Sequence, residues 1–140
     1  SNTLIMYKKI LCAVDVNSES EVVIKKARAL ADQYDSVLSI VHVIEHTFLP
    51  NDYQQKLKDQ VLPKMQNMAE KFNVNKKDSY IKFGQPYAHI CELEYLNDID
   101  LIVIGSHGKH GLKALLGSTA NAVLQQVKCD VLLVKLNETS

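Results

Sequence analysis

The chain has 140 residues, 46% hydrophobic and 23% charged. That is one domain of ordinary size, able to bury about two thirds of its unfolded surface without disulfides or a structural metal. Sixteen basic residues balance 16 acidic ones, so the formal net charge is zero, which argues against a general nucleic-acid or membrane-surface binder.

The apolar run from Tyr7 to Val14 reads as a central strand buried on both faces. Residues 17–21 (NSESE) then offer capping side chains with Glu three positions on. Val22, Val23, Ala27, Leu30 and Ala31 recur at helical spacing, which predicts a helix from about Ser20 to Tyr34. Ser36 to Ile44 is a second strand. A polar stretch follows to Asp52, with Pro50 expected to prevent regular structure. Gln54 to Phe72 is helical, with an apolar stripe of Leu57, Val61, Met65, Met68 and Phe72. Pro63 is expected to kink or restart it.

Ser79 to Phe83 alternates and predicts a third strand near a sheet edge. Gly84 and Gln85 end it, and Pro86 suits the first position of the next helix, which runs to Leu96. After a turn at residues 98–100, Leu101 to Ile104 is the fourth strand. Ser118 to Val127 is the last helix, with Ala120, Val123 and Leu124 facing inward. Asp130 to Leu136 is the fifth strand. Strands alternating with helices predict one α/β domain over residues 1–140, a doubly wound parallel sheet of five strands with helices on both faces; alternation is compatible with more than one strand order, and the order expected here is 3-2-1-4-5. Residues 1–5 are expected to be a disordered or expression-derived N-terminus, with Met6 as the native start, and 137–140 a polar tail.

Cys12, Cys91 and Cys129 show no metal-type spacing. An odd count predicts free thiols in a reducing compartment, with small core residues as the default role for each. No apolar stretch has the length of a membrane-spanning helix and no signal peptide is evident, so a cytoplasmic location is expected.

Four of the five glycines fall between Gly105 and Gly117, straight after the fourth strand. Glycine lets backbone N–H groups approach a ligand with no Cβ in the way, and a helix N-terminus adds unpaired donors and partial positive charge. Gly105, Gly108, Gly117, Ser118 and Thr119 therefore read as a phosphate cradle. In a doubly wound sheet the ligand lies beyond the C-terminal strand ends at the topological switch point. The first strand brings Ala13, Val14 and Asp15 there, and the second brings Val43. Asp15 can accept hydrogen bonds from ribose or base, and backbone groups near Val43 can read a purine edge. His107 is expected to orient the loop, and Lys109 can reach a phosphate. His42, His107 and His110 fit no known metal-ligand spacing, so no metal site is expected. His42 is instead expected to be a strand-end residue satisfied by backbone. No nucleophile–base pair with an orienting carboxylate is evident, so no catalytic residue is assigned.

Taken together, Val14-Asp15, His42-Val43, Gly84-Gln85-Pro86, the block from Asp100 to Gly108, Gly117-Ser118 and the block from Cys129 to Val134 resemble the universal stress protein family over nearly the whole chain. In the nucleotide-binding branch of that family, a Gly-x-x-Gly, nine residues, then Gly-Ser/Thr pattern binds ATP. Here Gly105-x-x-Gly108 and Gly117-Ser118 are intact, but the segment between them has eight residues, from Lys109 to Leu116. Asn17 stands where the family usually has Ser.

The resemblance implies that Asp15 and Val43 contact the adenosine end and that Ile104 and Gly105 line the ribose. It places Gly108, Gly117, Ser118 and Thr119 at the phosphates. It implies a stress-response protein taking ATP, ADP or AMP as a signal or conformational ligand, with Mg2+ as a companion ion. It also implies a homodimer through Val131, Leu132, Leu133 and Val134. Two rival readings stand beside it: a dimeric interaction module without nucleotide, and a weak ATPase or phosphotransferase.

Overall fold

A computed structural model describes residues 6–16, 21–45, 50–106 and 118–136. Their order is β1 (Lys9–Ala13), α1 (Glu21–Tyr34), β2 (Val37–Ile44), α2 (Asn51–Lys71), a 3-10 turn (Lys76–Asp78), β3 (Ser79–Phe83), α3 (Pro86–Leu96), β4 (Leu101–Gly105), α4 (Ser118–Gln126) and β5 (Asp130–Val134). The strands pair in parallel throughout, and the sheet order is β3-β2-β1-β4-β5. The alternation of apolar strand and amphipathic helix produces the parallel pairing and the covered faces, because each parallel connection needs a crossover that covers a face of the sheet.

The two faces bury different sets of side chains. On one, Ile10, Cys12, Leu38, Ile40, Leu101 and Val103 pack against Val23, Ile24, Ala27 and Ala31 of α1 and Met65, Met68 and Ala69 of α2. On the other, Leu11, Val41, Ile102 and Ile104 pack against Ile90 and Leu93 of α3 and Ala120 and Val123 of α4. Alternate residues of β1 and β4 enter opposite clusters, as the two-residue period of a strand requires. Both strands are buried on both faces, hence their unbroken apolar runs.

Three expectations are corrected. The second helix begins at Asn51, because the Pro50 carbonyl already accepts the N–H groups of Tyr53 and Gln54. Pro63 lies inside this helix without dividing it. It sits on the exposed side with Asp59, so water can take the carbonyl that the missing proline N–H leaves unbonded. Leu124 is 45% exposed. The short helix α4 buries only a narrow stripe, Ala120 and Val123, and the next residue turns outward. Cys12 is fully buried, as expected of a core residue, whereas Cys91 and Cys129 are only half-buried.

The C-terminal end of β3 shows why a glycine follows it. Gly84 has φ +136°, and an added Cβ would meet His89 Nε2 at 3.0 Å. That same ring nitrogen donates to the Phe83 carbonyl at 2.7 Å. Pro86 occupies the first turn of α3, where its missing N–H costs nothing.

Candidate functional site

The cleft follows from where the crossovers go. β1 and β4 are neighbours in the sheet, paired from Ile10–Leu101 to Cys12–Val103. Beyond those pairs the chain leaves β1 toward α1 on one face and leaves β4 toward α4 on the other. Departure to opposite faces opens a crevice at the C-terminal edge, the switch point of a doubly wound sheet.

Val14 and Ile104 lie at that edge, each 6% exposed. Asp15 and Gly105 are half-buried there, beside Ala13. Val43 belongs to β2, the neighbour of β1 on its other side, and is also half-buried. Ser118 and Thr119 open α4, Ser118 exposed and Thr119 half-buried. Thus Ala13, Val14, Asp15, Val43, Ile104 and Gly105 share one edge of the sheet, and Ser118 and Thr119 begin the helix that crosses back from it. His107, Gly108, Lys109 and Gly117 lie outside the described residues.

Backbone polarity at this edge is set by the end of β1. In a strand, the N–H and C=O of one residue point to the same side, and those of its neighbours to the other. The Val41 carbonyl faces β1, accepting from Val14 N–H at 2.9 Å. The Ile44 carbonyl faces β3, accepting from Gly84 N–H at 2.9 Å. Val43 therefore turns its N–H and C=O toward the β1 side, where the strand pairing has already stopped at Ala13–Val41. A donor and an acceptor side by side, directed past the end of the neighbouring strand, are suited to a ligand edge that offers the reverse pair.

Gly105 is closely packed. A Cβ there would come within 3.2 Å of Leu136 Cδ1 and 3.5 Å of Val23 Cγ2, so the glycine lets the start of α1 and the chain after β5 close over the end of β4. Ser106 completes this closure: its N–H donates to the Val134 carbonyl at 2.8 Å, and its Oγ accepts from Leu136 N–H at 3.2 Å. The sequence assigns Ser106 no role, since a contact across 30 residues leaves no local signal. His42 is satisfied by backbone as expected, with Nδ1 2.9 Å from the Val14 carbonyl oxygen.

A shallow recess also opens at the opposite, N-terminal end of the sheet, among Tyr7, Glu94, Asp100 and Cys129. Its main polar groups are committed to the fold. Tyr7 donates its phenol to Asp130 Oδ2 at 2.9 Å, which with burial pushes the phenol up from its ordinary range. Asp100 Oδ2 accepts two backbone N–H groups.

The fold and the edge together define a single-domain, doubly wound α/β protein with a crevice at its C-terminal edge framed by β1, β2 and β4. The universal stress protein family matches residues 6–135. The chain belongs to that family. Universal stress protein A homolog 2 of Coxiella burnetii is 36% identical over 141 residues, covering 93% of this chain and 96% of the relative. Universal stress protein A homolog 1 of the same organism is 35% identical, covering 94% and 99%. Among solved structures, the hypothetical protein MJ0577, described in a structure-based assignment of biochemical function, superposes with a TM-score of 0.84 at 29% identity, covering 96% of this chain and 99% of that one. A universal stress protein crystallised in complex with cAMP superposes at 0.74 with 19% identity, covering 94% and 99%; at that identity the likeness is one of fold. Among the described residues, no helix is long and apolar enough to cross a membrane.

Proposed function

We propose that this universal stress protein binds an adenine nucleotide at the C-terminal edge of the sheet and uses it as a signal or conformational ligand. The observation that carries the reading is the Val43 N–H and C=O pair directed past the end of β1. Adenine offers the complementary edge, a ring nitrogen that accepts beside an amino group that donates. Asp15 stands at the same edge to accept from ribose hydroxyls. Ile104 and Gly105 line the far wall, and Ser118 and Thr119 present the N-terminus of α4 toward phosphate. Gly108, Lys109 and Gly117 belong to the same cradle by their place in the sequence, and Mg2+ accompanies a triphosphate. A universal stress protein of the same fold has been crystallised with cAMP, a ligand of this chemical class.

The reading includes a homodimer through β5. That strand is one edge of the sheet, and its Val131, Leu132 and Leu133 are half-buried. The other edge, β3, carries Ser79, Tyr80 and Lys82 and is the more polar. An apolar edge left bare is an aggregation hazard, which pairing with a second copy removes.

The test is calorimetric titration of the purified protein with ATP, ADP, AMP and cAMP, preceded by chromatography of any nucleotide released on denaturation. One site per chain is expected. No heat and no thermal shift with any of the four at millimolar concentration would leave a dimeric interaction module without a nucleotide.

A further inference from the structure

We propose that His42 is a positioning residue for the base: its imidazole takes the backbone acceptor that would otherwise bind Val43, and so keeps the Val43 N–H and C=O available to a ligand. The inference rests on the nucleotide reading above and adds the device that sets the base edge.

In a parallel ladder, a residue facing its neighbour donates its N–H to one carbonyl and accepts from the N–H two residues further on. Val41 is matched with Ala13 in this way, and Val14 N–H donates to the Val41 carbonyl at 2.9 Å. The next rung would run from Val43 N–H to the Val14 carbonyl and from Val16 N–H to the Val43 carbonyl. Neither bond is made among the described residues. Instead, the Val14 carbonyl lies 2.9 Å from His42 Nδ1. A carbonyl oxygen only accepts, so Nδ1 carries the proton and donates it.

His42 lies on the same face of β2 as Ile40, which packs toward α1 and α2. Its ring N–H draws the Val14 carbonyl toward that face and off the line of the ladder. β1 is thereby released from β2 one rung early, at the place where the Val43 pair turns to the crevice. A β-branched or aliphatic side chain at position 42 would fill the same strand position but leave the Val14 carbonyl to Val43.

Two variants separate this role from simple packing. His42→Leu removes the ring N–H, whereas His42→Asn restores an N–H donor near the position of Nδ1. ATP and 1-deaza-ATP, which lacks the ring nitrogen beside the amino group, are titrated into the parent and both variants. The parent should prefer ATP by about tenfold, His42→Leu should bind the two alike, and His42→Asn should recover the preference, as expected for one hydrogen bond gained or lost. A leucine variant that still discriminates tenfold, or a parent that binds ATP without discriminating, overturns the proposal.

A second readout needs no ligand. In the parent, the Val43 amide should exchange quickly with deuterium by NMR and His42 should show the Nδ1-protonated tautomer. In His42→Leu the Val43 amide should become protected as the ladder gains a rung. Protection of that amide in the parent overturns the proposal whatever the variants do. A parent that binds no adenine nucleotide but shows the expected exchange pattern overturns the ligand reading and upholds the part assigned to His42.

Discussion

Asp100→Ala tests how the central pair of strands is held in register. Asp100 Oδ2 accepts the N–H of Lys8 and the N–H of Lys9, each at 2.9 Å. Its own N–H donates to the Lys9 carbonyl at 2.9 Å. One carboxylate thus satisfies two backbone donors where the chain enters β1, and ties that point to the start of β4. Alanine removes both charge-assisted bonds but leaves the backbone bond. Because these bonds are reached by solvent, water recovers part of the loss, and each contributes about 0.5–1.5 kcal/mol. The expected destabilisation from losing both is therefore about 1–3 kcal/mol.

Urea unfolding followed by far-ultraviolet circular dichroism measures this, with the midpoint shifting and the slope unchanged. Asp100→Asn keeps an oxygen acceptor without the charge and should fall between parent and alanine variant. An alanine variant within about 0.5 kcal/mol of the parent would show that water replaces the carboxylate fully. An asparagine variant less stable than alanine would also refute the reasoning, because it keeps the acceptor.

The cysteines should be slow to react in the folded protein. Burial pushes the Cys12 thiol far above its ordinary value, burial and the charge of Glu94 raise Cys91, and burial first, then Glu94, pushes Cys129 up to about 11. At pH 7.5 only roughly one Cys129 in 3,000 is then thiolate, and its labelling should quicken as pH rises toward that value. Ellman titration should give slow labelling of the native chain and three equivalents in guanidinium; a fast native thiol would contradict this. Sedimentation at low micromolar concentration should show a dimer, and a purely monomeric species would leave the apolar β5 edge unexplained.

The order and type of the elements are legible in the sequence because they are written in local periods. The unbroken apolar runs of β1 and β4, the helical spacing of Val23, Ala27 and Ala31, and Pro86 at the head of α3 each act over a few residues. Alternation then dictates crossovers and a parallel sheet, whose C-terminal strand ends share one edge. So the periods alone suffice to place Val14, Asp15, Val43, Ile104 and Gly105 at one edge of the sheet.

Other features depend on what each segment meets. Helical spacing places Leu124 near the inner face of α4, but the stripe that the helix buries ends at Val123. Pro63 is a breaker by propensity, yet α2 continues through it on the exposed side of the helix, where water can take the unbonded carbonyl. Asp100 reads as part of a turn, and only the fold brings it to the backbone of Lys8 and Lys9 across 92 and 91 residues. The link from Ser106 to Leu136 and the bond from His42 to Val14 are of the same kind. The sequence determined the periods and therefore the parallel α/β class. The tertiary structure decided which hydrogen bonds close and which stay open, because a donor's partner is set by proximity in space, and these pairs are dozens of residues apart along the chain.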